Sequence, residues 1–162
     1  MIEKSSKGTI HRNFIDQNIM KKRDLDHPRD HNCYTIRINL FGNTIVYNGK
    51  GVEIEKKDGT LSESCRALSH RNDIVSELIK LAGPENCEFD IISGLTRKES
   101  EELEAILISF QNGSRKQWGQ KRWNGEKFLN KRDESIDTKP QYFDLLNGNN
   151  YFKTLRRQIN RD

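Results

Sequence analysis

The sequence predicts an α+β fold, a small three-stranded sheet flanked by helices, with its first two strands forming a hairpin. Two alternating segments and one long amphipathic segment lead to that class. Tyr34, Ile36, Ile38 and Leu40 share one parity and Thr35, Arg37 and Asn39 the other, the period-two pattern of a strand buried on one face. Cys87, Phe89 and Ile91 alternate again, in a segment that reaches Ser93-Gly94. Beyond it, Leu103, Ile106, Leu107 and Phe110 recur at i, i+3, i+4 and i+7, the stripe by which a helix faces a core.

Each element follows from local chemistry. Residues 1–31 are polar with little apolar periodicity, and read as an irregular or partly helical arm outside the core. After the first strand, Phe41-Gly42-Asn43-Thr44 supplies turn residues before Ile45-Val46-Tyr47 resumes, which makes a β-hairpin whose second strand ends at Gly49. Asn48-Gly49-Lys50-Gly51 then reads as a loop, and 52–62, with its Asp58-Gly59 turn, as a polar excursion. SESCRALSH is a short helical stretch. Asn72 is placed to cap a second helix with Ile74, Val75, Leu78, Ile79 and Leu81 on its apolar side, stopped by Gly83-Pro84. Thr96 and Glu99 form a T-x-x-E capping box for the longest helix. The expected organisation is a polar arm over 1–31, a domain over 32–135, and a helical extension over 136–162 packed on that domain.

Composition narrows the class. A chain of 162 residues with 33% apolar and 32% charged side chains fits one domain around a compact core. The net charge of +4 favours an anionic partner if it is clustered. It is clustered: Arg115–Arg132 holds seven Lys/Arg against one acid, Glu126, with Trp118 and Trp123 interleaved. The cations favour DNA backbone contact, while the tryptophans suit stacking on DNA and, equally, a solvated loop in which they cover the core. Three cysteines without paired spacing read as reduced thiols, hence a reducing compartment. No apolar run resembles a signal peptide or a membrane helix, so the expected setting is soluble and non-membrane. His27, His31 and Cys33 invite a zinc reading, but Pro28 opposes the helix that would join them and no second cysteine pair exists.

Several residues fit a bland fold poorly. Glu104 borders the apolar stripe of its helix, where a carboxylate is costly without a cation or an outward bend. Arg66 and His70 stand at i, i+4 on one face of the expected short helix, and Lys50 lies between two glycines.

In order along the chain, these elements resemble the GIY-YIG nuclease superfamily. NCYTIRINLFGNTIVYNGKG is similar to its paired tyrosine strands, with Tyr34 closing the GIY element and Tyr47 opening the YIG element. RALSHRN resembles the arginine helix, GLTRKESEELEAILI the segment with the metal-binding glutamate, here Glu104, and KFLNKRD the late asparagine element, here Asn130. Asn112 and Asn124 stay open as alternatives to Asn130. The likeness spans roughly residues 32–132, with Asn32-Cys33 in place of Gly-Ile and Asn48 in place of the isoleucine after Tyr47.

The resemblance implies a mainly antiparallel three-stranded sheet and a small endonuclease of restriction or phage/homing type. It implies a catalytic set of Tyr34, Tyr47, Arg66, His70, Glu104 and Asn130, with Glu104 holding Mg²⁺ or Mn²⁺. Lys50, Arg71, Arg115, Lys116, Lys121, Arg122 and Lys131 are the expected DNA contacts. Tyr34 is the better general-base candidate by resemblance, with cations beside it expected to lower its pKa; an exchange of roles with Tyr47 or His70 stays open. Double-stranded DNA is the implied partner, a homodimer one arrangement, and the cytoplasm of a bacterial or phage-infected cell the setting. The altered GIY and YIG elements leave a second reading, a GIY-YIG-like DNA-binding module with weakened catalysis. A third is a reduced-thiol or zinc interaction protein.

Overall fold

The computed structural model describes residues 2–15, 28–69, 73–117 and 126–128, with side chains described for 2–15, 28–69 and 74–108. The fold is α+β. Six strands, β1 (Ile2–Ser5), β2 (Gly8–Phe14), β3 (His31–Leu40), β4 (Asn43–Val52), β5 (Cys87–Leu95) and β6 (Glu126–Phe128), form one sheet in the order β1-β2-β5-β3-β4-β6. Its centre, β5-β3-β4, is antiparallel, and β2 and β6 add parallel strands on either side. The expected sheet of three strands is therefore too small.

The chief correction is the N-terminal segment. Instead of an irregular arm, it is an antiparallel hairpin built into the sheet, with Ile10 paired to Phe89 and Arg12 to Ile91. Ile10 and Arg12 are 1% and 0% exposed. An arginine occupies the inward position where the period-two rule looks for an apolar residue, which hides the strand from that rule.

The β3–β4 hairpin turns at Phe41-Gly42, with φ of +51° and +75°, the positive pair of a type I′ turn. Strand β4 does not stop at Gly49; it continues to Val52 with Gly49, Lys50 and Gly51 facing Tyr34, Cys33 and Asn32. Ile36, Ile38, Phe89 and Ile91, all 1% exposed or less, form the centre of the core on one face. Each contributes about 1.5–3 kcal/mol of burial.

Helix α1 (Asp73–Ala82) covers that face with Val75, Leu78, Ile79 and Ala82. Ile74 and Leu81, expected on its apolar side, are 58% and 64% exposed. The stripe at i, i+3, i+4 and i+7 from Val75 satisfies the contact and leaves them one position away from it. The expected short helix at SESCRALSH is a run of turns, closed by Cys65 N to Ser62 O at 3.1 Å and Leu68 N to Cys65 O at 3.0 Å. Cys65 and Leu68 stand at the i, i+3 spacing of a helix, but the segment goes no further than these turns and also buries Ala67 between them.

Helix α2 (Arg97–Gln117) begins as the sequence predicts. Thr96 N donates to Glu99 Oε1 at 2.8 Å, and Glu99 N to Thr96 Oγ1 at 3.1 Å. The helix packs on β3 and β4, and its buried Leu103, Ile106 and Leu107 lie outside the α1-side cluster. It therefore covers the opposite face, where Cys33, Thr35, Arg37, Asn48 and Lys50 point. The three cysteines are free and buried, and burial raises each thiol pKa, that of Cys87 to about 11.

On this second face Asp90 is buried, and Arg37 Nη2 donates to its Oδ2 at 2.9 Å and to Glu88 Oε2 at 2.8 Å. Burial raises the Asp90 pKa, with Arg37 and His11 pulling it back and Glu88 pushing it up. The folded chain thus holds this proton more tightly than the unfolded chain does. The stabilisation is complete below about pH 4 and is lost as pH rises through the raised folded value. Urea unfolding of the parent and Asp90→Asn across pH 4 to 7 is expected to show the parent's relative stability declining with pH. A difference that stays constant or grows contradicts the assignment.

Candidate functional site

Period two sets the first half of the site. Tyr47, Gly49 and Gly51 share a parity on β4 and point to the face covered by α1 and the 61–69 turns. Tyr34 pairs with Gly49, and its ring lies across that bare backbone: a Cβ at Gly49 would stand 2.3 Å from Tyr34 Oη and 2.4 Å from its Cζ. One step further, a Cβ at Gly51 would meet Arg66 Cβ at 2.7 Å and its Cδ at 3.2 Å. Two glycines thus leave room for a phenol and a guanidinium stem along one strand, about 6.7 Å apart by strand rise. Tyr47 completes the row, half-buried and packed at the edge of the core, while Arg66 is exposed overall.

The second half lies on the α2 face. Glu104 is 8% exposed on α2, and its charge raises the pKa of both Cys33 and Tyr34. Lys50 projects on this side too: its Nζ donates to Glu101 Oε1 at 3.5 Å, and its charge acts on Cys33. Read from the sequence as a loop residue, Lys50 instead sits on a strand whose parity sends it to the face away from the phenols, and Arg66 is the cation acting on Tyr34. Thr35 Oγ1 donates to Asn48 Oδ1 at 2.6 Å beneath α2, a buried pair that fixes the β3–β4 register on that face.

Electrostatics revises the role of Tyr34. At 1% exposure, burial pushes its phenol far above the ordinary tyrosine value; Tyr47 and Glu104 push it further, and Arg66 alone among its named neighbours pulls it down. The lowering by Arg66 is outweighed by burial, which favours the neutral phenol and counts against Tyr34 as the general base.

Tyr34 thus lies within electrostatic range of Tyr47, Arg66 and Glu104, the first two on its own face of the sheet and Glu104 on the helix covering the other. His70, Asn130, Asn124, Arg71, Lys121, Arg122 and Lys131 lie outside the described residues. So do Trp118, Trp123, His27 and the proposed cap Asn72. Asn112, Arg115 and Lys116 lie on α2 with side chains outside the described set.

Among the described residues no group of three or more His, Cys, Asp or Glu is arranged to hold a metal ion. Glu104 is a single carboxylate. That donor set suits Mg²⁺ or Mn²⁺, which keep several waters and need one or two protein oxygens, and does not suit a caged ion such as zinc. Sequence reasoning did not anticipate Glu101 as the partner of Lys50 or the Thr35–Asn48 pair. Extending the Tyr47 parity through Gly51 was the available signal for both faces.

The close approach at Gly49 has a measurable consequence. Gly49→Ala is expected to cost about 1–3 kcal/mol in urea unfolding through overpacking against Tyr34. In a Tyr34→Ala background the same change is expected to cost far less. Equal costs in the two backgrounds contradict the contact. No family model, curated protein or solved structure matches the chain.

Proposed function

We propose that the chain is a metal-dependent DNA endonuclease of GIY-YIG type that hydrolyses phosphodiester bonds. One observation supports it above the rest: Tyr34 lies within the electrostatic reach of Tyr47, Arg66 and Glu104, groups supplied by three different segments. Phosphodiester hydrolysis asks for such a set. Water attacks phosphorus in line, a P–O bond forms as the bond to the leaving oxygen breaks, and negative charge grows on the phosphoryl oxygens. Exposed Arg66 is suited to clamp those oxygens with two parallel N–H donors.

Glu104 would hold Mg²⁺ or Mn²⁺, which when bound neutralises charge on the phosphate and leaving oxygen. Tyr47, less buried than Tyr34, would accept the proton of the attacking water as it passes its own phenolic proton to His70. Tyr34, buried and neutral, is a positioning residue that donates a hydrogen bond into the site. Asn130 and the cations Arg71, Arg115, Lys116, Lys121, Arg122 and Lys131 belong to the same proposal, as contacts to double-stranded DNA. So do a homodimer and a location in bacterial or phage-infected cytoplasm. No described helix is long and apolar enough to cross a membrane.

A second reading, a DNA-binding module with weakened catalysis, is favoured by two features. Tyr34 is only 1% exposed, and Lys50 is engaged by Glu101 at 3.5 Å. Incubation with supercoiled plasmid separates the two. The endonuclease is expected to nick in Mg²⁺, to stop in EDTA, and to lose about 10²-fold or more of its rate in Glu104→Gln, the scale of one lost electrostatic stabiliser. Salt-sensitive binding without nicking in Mg²⁺ or Mn²⁺ supports the module instead. A Glu104→Gln chain that cuts like the parent removes Glu104 from the chemistry.

A further inference from the structure

The Phe41-Gly42 turn has a conformation and an exposure that folding alone does not favour. Phe41 is 84% exposed, more than any other large apolar residue described, and sits at φ +51°. It is the one non-glycine residue at positive φ among those described. A type I′ turn favours Asn or Gly there, and a bulky aromatic side chain is disfavoured in that backbone region. The turn is nonetheless firmly set. Strand pairing runs to Leu40 and Asn43, Asn43 Nδ2 donates to Phe41 O at 3.2 Å, and Thr44 Oγ1 donates to Asn39 Oδ1 at 2.9 Å. A rigid ribbon therefore holds a bare phenyl ring out in solvent.

Beside the ring lies a shallow open concavity of about 490 Å³. Asn39, Asn43, Thr44 and Asn86 supply its polar wall, and none of the described side chains that line it is charged. Amide side chains are complementary to base edges, and the hairpin extends at its tip, residues 39–43, past β5, whose pairing with β3 stops at Ile38, and past β6, whose pairing with β4 starts at Thr44. An apolar ring at its tip is the kind of group that inserts between base steps.

We infer that Phe41 is a wedge that inserts at a base step of duplex DNA, with the adjoining amide-lined hollow facing the base edges. The inference rests on the DNA-cutting reading and adds to it the surface that engages bases. Five residues separate Phe41 from Tyr47, spanning at most about 20 Å of extended chain, so the wedged step lies within roughly six base pairs of the cleaved bond.

The test uses a fluorescein-labelled duplex for affinity, and duplexes carrying one 2-aminopurine at successive positions for unstacking, all in EDTA. The parent is expected to bind and to raise 2-aminopurine emission. Phe41→Gly is expected to bind about tenfold more weakly and to lose the emission rise. It should melt at or above the parent's temperature, because glycine relieves the positive φ. Phe41→Asn, which creates the favoured Asn-Gly turn, is expected to behave the same way, and Phe41→Trp to keep both signals. If both turn variants keep the parent's affinity and emission while the parent cuts plasmid, the wedge is overturned and the nuclease reading stands. A change in sedimentation without a change in DNA affinity, the mark of a contact between copies of the chain, also overturns it. A parent that binds no duplex overturns both.

Discussion

Arg12 is the group on which the architecture of this chain turns. Its guanidinium is fully buried, yet it donates to Glu3 Oε1 at 3.3 Å, to Gly59 O at 2.8 Å, and to the carboxylates of Glu53 and Glu55. Its Nε donates to Ser93 Oγ at 2.8 Å, and it stacks on Phe14 at 4.6 Å. A buried cation without partners would be prohibitively costly, and carboxylates from two separate segments offset that cost. The hydrogen bonds outweigh the effect of burial, so the pKa rises further and the charge is permanent. One side chain thereby joins β1, β2 and β5 to the polar stretch that follows β4.

The consequence reaches the site. Glu3 Oε2 accepts from Leu61 N at 3.2 Å, Glu63 Oε1 accepts from Ser6 N at 2.8 Å, and the Lys7 ammonium donates to Leu68 O. The N-terminal hairpin therefore grips the 53–68 segment along its length. Without regular helical hydrogen bonding of its own, that segment depends on these tethers to keep the Arg66 stem on Gly51. Bare backbone at Gly49 and Gly51, combined with strand parity, then decides which groups meet. Tyr34, Tyr47 and Arg66 fall on one face; Lys50 and the Glu104 helix fall on the other; contact between the two sets is electrostatic, around the hairpin's end. Burial in this arrangement favours the neutral phenol at Tyr34, so the proposed chemistry assigns proton transfer to less buried groups.

Much of the centre of this fold was legible in the sequence, because each element there had a local cause. The Tyr34–Leu40 alternation, the Phe41-Gly42 turn, the Thr96–Glu99 capping box and the Gly83-Pro84 stop all act within a few residues. What was not legible depended on distant partners. Arg12 looks like a surface residue until five groups from elsewhere in the chain accept its hydrogen bonds. The 61–69 turns look helical because Cys65 and Leu68 stand three apart, while the bonds with Lys7 and Ser6 that hold the segment are invisible to a local rule. For the site, the tyrosine pair, Arg66 and Glu104 were readable as an ordered series. The direction of the Tyr34 pKa shift was not, since burial is a property of the packed molecule.

The dependence of the 53–68 segment on Arg12 is open to direct measurement by amide hydrogen exchange in the parent and in Arg12→Met. The parent is expected to protect Ser62, Cys65, Leu68 and Ser69, whose amides donate at 2.8–3.1 Å to chain carbonyls. In Arg12→Met that protection is expected to fall sharply, while the amides of Leu103, Ile106 and Leu107 in α2 keep theirs. Unchanged protection at Cys65 and Leu68, or loss spread evenly through the sheet and α2, contradicts the view that one buried guanidinium holds the Arg66 segment in place.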